Sequence, residues 1–214
     1  MANMISLFRV LLAFYILWTL FTNNPCLYIS AFFLTIFVIL LDGLDGYVAR
    51  KRGEESKLGS VIDIVGDRIV ENAYWVVFAS LGWIGAWVPI VVLTRGIITD
   101  SIRGIALIDG DTAFGETSMI KNKIGNFITA SRFSRFTYAG AKALAFIFMI
   151  IAHIPNMEMF DGMTVNQFVM YLRIKPTLII TADILTYIAV AFCVLRALPV
   201  VIESKRYLCK NDKN

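Results

Sequence analysis

The chain has 214 residues, 58% of them apolar or aromatic and 17% charged, with 20 Lys and Arg against 16 Asp and Glu for a net charge of +4. Soluble domains run at about 45–50% apolar and about 25% charged; this composition excludes a disordered chain and, with 14 Gly and 3 Cys, a collagen or a disulfide scaffold. A mean hydropathy of +0.71 makes a polytopic membrane protein of one domain, residues 1–214, the working class, its modest positive charge belonging to loops rather than to a nucleic-acid surface.

A spanning helix needs roughly 20 mostly apolar residues. Six stretches approach that pattern: Leu7–Phe21, Leu27–Ala49, Leu58–Leu81, Ile84–Ile108, Tyr138–Ile154 and Leu178–Ile202. The expected fold is therefore all-α, with six transmembrane helices. Asn23-Asn24-Pro25 is a turn signal after the first, and Gly82 and Gly85 mark a very short reversal between the third and fourth. Between the fourth and fifth, Ile120, Ile124, Phe127 and Ile128 recur at helical spacing around Lys121 and Lys123, which predicts an amphipathic helix along the membrane interface over Met119–Ala130. The same is expected of Met157–Leu172. Trp83 and Trp87 sit where interfacial aromatics belong. Cys26, Cys193 and Cys209 lack metal-ligand spacing and read as packed or idle thiols. The N-terminus lacks the basic start and small-residue cleavage site of a signal peptide.

Cations fall unevenly between the two sides of such a bundle. Arg50, Lys51, Arg52, Lys57, Lys121, Lys123, Arg132, Arg135, Lys205, Arg206, Lys210 and Lys213 share one side, and only Arg173 and Lys175 lie on the other. By the positive-inside rule both termini are cytoplasmic.

Four carboxylates stand at the inner ends of the second and third spans. Asp42 and Asp45 are three apart, and Asp63 and Asp67 four apart, so each pair lies on one helical face. A short loop makes the two helices neighbours, and an acid in a membrane helix requires a compensating partner. Two facing carboxylate pairs form an oxygen cage suited to Mg²⁺ or Mn²⁺. The single histidine, His153, lies near the outer end of the fifth span and reads as an idle interfacial residue. Gly46 and Ala49 beside Asp45, and Gly59 in line with Asp63 and Asp67, leave room for a bulky ligand near the backbone. Arg50 offers a fork to a phosphate oxygen. Metals, an arginine and a cleared wall suggest a nucleotide diphosphate. The alternative is structural: the acids pair with Arg68, Arg95 or Arg103 to hold the bundle together.

The arrangement D-x-x-D-G-x-x-A-R-x8-G-x3-D-x3-D, spanning 26 residues from Asp42 to Asp67, resembles the signature of the CDP-alcohol phosphotransferase family. Asp42, Asp45, Gly46, Ala49, Arg50, Gly59, Asp63 and Asp67 match all of its fixed positions. The resemblance implies an integral membrane enzyme, commonly a homodimer, that moves a substituted phosphate from a CDP-linked donor to an alcohol and releases CMP. It further implies that Asp42, Asp45, Asp63 and Asp67 bind two divalent metal ions, Mg²⁺ or Mn²⁺, on the donor diphosphate. Gly46, Ala49, Arg50 and Gly59 would line the CDP site, and Asp67 would act as general base on the acceptor hydroxyl.

For the acceptor, Asn3-Met-Ile-Ser6-Leu-Phe-Arg9 resembles the N-L-L-T-L-x-R opening common in phosphatidylglycerophosphate synthases. Arg95 to Arg103 with Gly110 is similar to another pattern of those enzymes, although Gly96 replaces an acid and Asp63-Ile-Val-Gly-Asp67-Arg68 departs from their D-P-x-A-D-K. Arg132-Phe-Ser-Arg135 and Arg196 instead look like features of inositol-phosphate phosphotransferases. Arg103, Arg132, Arg135, Lys142 and Arg196 form the candidate clamp for an acceptor phosphate, and ordinary positive-inside placement is their alternative reading. Arg95 is expected to pair with Glu71 or Asp100 inside the bundle. The implied reaction transfers phosphatidyl from CDP-diacylglycerol to sn-glycerol 3-phosphate, with an inositol phosphate or another polar alcohol as the alternative acceptor. Its expected place is the cell inner (plasma) membrane, with the active site facing the cytoplasm. A cation transporter using the acidic cluster is the rival from another class; transport sites lie near the midplane on broken helices, whereas these acids lie toward the inner ends.

Overall fold

A computed structural model describes residues 2–52, 57–108, 123–155 and 165–204. All regular structure among them is helical: α1 (Ala2–Thr19), α2 (Pro25–Arg52), α3 (Lys57–Ser80), α4 (Trp87–Ile108), α5 (Lys123–Ala130), α6 (Arg132–Ala152) and α7 (Val165–Glu203). The six predicted spans correspond to α1–α4, α6 and α7, and α5 is the helical part of the predicted amphipathic segment, whose residues 119–122 lie outside the described residues.

Three helices are long and apolar enough to cross a membrane: α2 over Pro25–Gly43, α6 over Phe133–Ala152 and α7 over Arg173–Glu203; in α1, Met4–Thr19 is a shorter apolar helix. α3 and α4 are also long but carry more charge: α3 holds Asp63, Asp67, Arg68 and Glu71, and α4 holds Arg95, Asp100 and Arg103. Large apolar side chains are exposed in rows; on α1, Leu7, Leu11, Phe14 and Trp18 follow one another at helical spacing on the open face. In water such a row would be costly, and against lipid tails it costs nothing.

The chain divides into two compact units, Met1–Ala86 with Ala143–Leu185, and Trp87–Lys142 with Thr186–Asn214.

In the first unit, α1 packs against α2 and α3. The α1–α2 turn is built as the sequence signals: Asn23 takes a left-handed φ of 56°, Asn24 Oδ1 accepts from the Cys26 amide at 2.9 Å, and Pro25 opens the helix where its missing N–H is not needed. The Tyr28 hydroxyl donates to the Leu20 carbonyl at 2.7 Å and fixes the angle of entry. α3 ends in a left-handed cap at Gly82, φ 74°. The Gly82 amide donates to Ala79 and the Trp83 amide to Phe78, both at 3.0 Å, and the Trp83 and Phe78 rings stack with centroids 5.2 Å apart. This is the paired-bond cap with its apolar contact. The core runs through Tyr74, Trp75 and Phe78 of α3, whose rings gather around Phe146 of α6 at 4.7, 4.8 and 5.9 Å. Thr35 and Tyr74 share a buried hydrogen bond of 2.9 Å that ties α2 to α3. His153, expected to be idle, stacks on Trp83 with centroids 4.5 Å apart and meets the Met149 carbonyl through Nδ1 at 3.0 Å.

In the second unit, Ile102 and Ala106 of α4 pack with Val200 of α7, and Trp87 stacks on Tyr187. Ser131 caps α6 by accepting from the Ser134 amide at 3.1 Å. α7 begins earlier than the Leu178 start expected, so residues 165–172 belong to it rather than to a separate interfacial helix. Pro176 removes one helical hydrogen bond without ending the helix, since the turns on both sides remain bonded.

Candidate functional site

α1 is mostly apolar and carries one charged residue, Arg9, and an ionisable residue in such a helix needs a partner. Arg9 is 2% exposed and reaches into the acidic cluster. Nη1 is paired with Asp42 of α2, and Nη2 donates to Asp67 Oδ1 of α3 at 2.5 Å and lies 3.4 Å from Asp63 Oδ1. One guanidinium thus joins α2, through Asp42, to α3, through carboxylates 54 and 58 residues away along the chain. Gly66 faces the α1 side of this contact: a Cβ there would stand 3.4 Å from Val10 Cγ2 and 3.6 Å from Arg9 Nη2, ordinary contact for a methyl, whereas a side chain reaching beyond Cβ would push α3 off α1.

The expected convergence of acids from the second and third spans is present. Asp42, Asp63 and Asp67 each offer a carboxylate oxygen within 4.8 Å of the others. The side chains of Asp42, Asp63 and Asp67 are 51%, 44% and 49% exposed, so the cluster opens to one side while Arg9 closes it from the interior. The fourth acid, Asp45, sits three residues beyond Asp42 in α2, and its side chain lies outside the described residues, as do those of Gly46, Ala49 and Arg50. Gly59 lies in the first turn of α3, one turn ahead of Asp63, and is partly exposed.

Three all-oxygen donors from two helices, open on one side, fit a hard divalent cation; neither Cys nor His is among them, so a soft-metal site does not fit. A carboxylate accepts at two oxygens, so a guanidinium behind the cluster and a cation in front of it can share the same three acids. The structural alternative named Arg68, Arg95 and Arg103, and the structure adds Arg9. Arg68 lies against Glu71 at 3.8 Å and Arg103 against Asp100 at 3.6 Å, one turn away on their own helices, while Arg9 reaches the cluster from α1.

The residues of the predicted acceptor clamp fall in the second unit, and two of them, Lys142 and Arg196, lie at Tyr138 of α6. Arg196 of α7, Lys142 of α6 and Arg95 of α4 stand 5.3, 4.8 and 5.8 Å from the centre of its ring, which is cation–π range. Arg95, expected to pair with an acid, therefore has an aromatic face instead. Arg196 is buried and donates through Nη1 to the Ser134 carbonyl at 3.3 Å and through Nη2 to the Thr129 carbonyl at 3.2 Å. It holds the α5–α6 junction whatever else it does. The Nε atoms of Arg95 and Arg196 are buried without a hydrogen-bond partner among the described residues. Arg135 is exposed and Arg103 partly so; the Arg132 side chain lies outside the described residues.

Sequence reasoning noted Arg9 only as the end of an opening motif and gave it no role. The signal was present in its isolation, as the one charge in an apolar helix.

The sequence model of the CDP-alcohol phosphatidyltransferase family matches residues 1–195 of the chain. A curated relative, the CDP-diacylglycerol–glycerol-3-phosphate 3-phosphatidyltransferase of Aquifex aeolicus (strain VF5), is 34% identical over 67 residues, which cover 31% of this chain and 36% of that protein. The matched part spans about a third of the relative's length.

Proposed function

The chain belongs to the CDP-alcohol phosphatidyltransferase family, and on that premise we propose that it transfers the phosphatidyl group of CDP-diacylglycerol to the hydroxyl of sn-glycerol 3-phosphate, releasing CMP. The observation that carries this reading is the meeting of Asp42, Asp63 and Asp67 within 4.8 Å on an open face, since all three belong to the fixed acids of the family signature. Asp42, Asp45, Asp63 and Asp67 would hold two divalent ions, Mg²⁺ or Mn²⁺. Once bound, such ions neutralise a diphosphate and stabilise a leaving CMP.

The remaining work falls to the chain. Gly46, Ala49 and Gly59 leave the backbone approachable by the cytidine nucleotide, and Arg50 forks onto a phosphate oxygen. Asp67 takes the proton of the acceptor hydroxyl as its oxygen bonds to phosphorus and the P–O bond to CMP breaks. Arg103, Arg132, Arg135, Lys142 and Arg196 receive the acceptor phosphate, a role supported by the gathering of Lys142 and Arg196 with Arg95 at Tyr138. The chain works as one membrane domain of residues 1–214, crossing six times with both termini and the active site cytoplasmic in the inner membrane, and pairs as a homodimer. The acyl chains of the donor stay in the bilayer.

The test is CMP release by the purified full-length protein from CDP-diacylglycerol with glycerol 3-phosphate, inositol 1-phosphate, inositol or serine. Release is expected with glycerol 3-phosphate, and chelation by EDTA should abolish it until Mg²⁺ or Mn²⁺ is restored. Release with inositol 1-phosphate alone would reassign the acceptor, and no release with any alcohol would reject the reading.

A further inference from the structure

We propose that Arg9 is a positioning residue for the acidic cluster: it holds Asp42 of α2 and Asp67 of α3, with Asp63 beside them, at the separation at which they take up a divalent cation. The inference rests on the metal-site reading above and adds to it a residue outside the Asp42–Asp67 signature. Its basis is an asymmetry. The guanidinium is 2% exposed, while the three acids it touches are 51%, 44% and 49% exposed, so Arg9 works from the protein interior and the acids face outward beyond it.

The geometry requires an arginine. Nη1 serves α2 through Asp42 and Nη2 serves α3 through Asp67 and Asp63, a two-ended grip that a planar fork provides and a single ammonium does not. Without that grip, carboxylates from two helices repel one another and swing apart on their exposed ends, and a cation has to gather them at its own expense. Outer partners of metal ligands act in this way, and their loss costs about 10–100-fold in affinity. Arg9 also carries a positive charge near the site, which opposes binding; its contacts to all three acids make orientation the larger effect here, and the experiment separates the two by sign.

The full-length protein in nanodiscs is titrated with Mn²⁺, and the free ion is followed by electron paramagnetic resonance. Arg9→Gln is expected to weaken Mn²⁺ binding by about 10–100-fold. Arg9→Lys, which keeps the charge but not the fork, should fall between Arg9→Gln and the native protein and broaden the spectrum of the bound ion. Thermal unfolding in EDTA reports whether each variant is folded; if Arg9→Gln is not, Arg9→Lys decides. Equal affinity in a folded variant would overturn the inference and leave the metal site standing. Tighter binding would overturn it in favour of Arg9 as a competitor of the metal. A native protein that binds no Mn²⁺ would overturn both the inference and the reading beneath it.

Discussion

At the scale of single residues, Asp67 stands at the meeting of two demands. It lies 2.5 Å from the Arg9 guanidinium and is also the proposed acceptor of the substrate proton. A single carboxylate shared between those two tasks leaves most of the acceleration to positioning and charge stabilisation. Asp67→Asn keeps the volume and loses the charge and basicity. CMP release is expected to fall at least about 100-fold while binding of the CDP donor stays measurable by calorimetry; undiminished turnover would remove Asp67 from its role. Tyr74→Phe makes a contrasting case far from the chemistry. It deletes the partner of buried Thr35 and should cost about 1–2 kcal/mol of stability, read as a lower unfolding temperature, with CMP release per folded molecule unchanged.

Between elements, the approach of α1 to α3 leaves room at Gly66 for a methyl and no more. Gly66 faces Val10 and Arg9 at distances a single methyl can tolerate, so Gly66→Ala should retain CMP release. Gly66→Leu has no space and should separate the helices, lowering both CMP release and Mn²⁺ affinity; equal behaviour of the two variants would mean that the helices are not packed this way. The cap of α3 is a separate case of backbone need. Gly82 holds a positive φ, and Gly82→Ala should destabilise by about 1 kcal/mol without touching the site, a change that thermal unfolding would register. The long α7 starts at Val165 rather than at the expected Leu178 and runs through Pro176.

On the scale of the whole molecule, the proposed six crossings put the α1–α2 turn outside and the C-terminal tail inside. Cys26 is exposed at the start of α2, whereas Cys193 is buried. A membrane-impermeant maleimide applied to intact cells should therefore label Cys26, and Cys209 should react only when the cytoplasmic face is opened. Labelling of Cys26 from the cytoplasmic side alone would invert the topology. The helical class, the helix order and the acids of the site were legible along the chain, because apolar length and three- or four-residue spacing are local properties that a helix turns directly into a face. The capping of α1, α2 and α3 was legible for the same reason, at Asn23-Asn24-Pro25 and Gly82. Partnership was not. Periodicity says which side of a helix a residue occupies and nothing about which helix will lie against that side. So only the tertiary structure brought Arg9 to carboxylates 54 and 58 residues away, turned Arg95 to an aromatic ring rather than an acid, and bound Arg196 to the carbonyls at the α5–α6 junction.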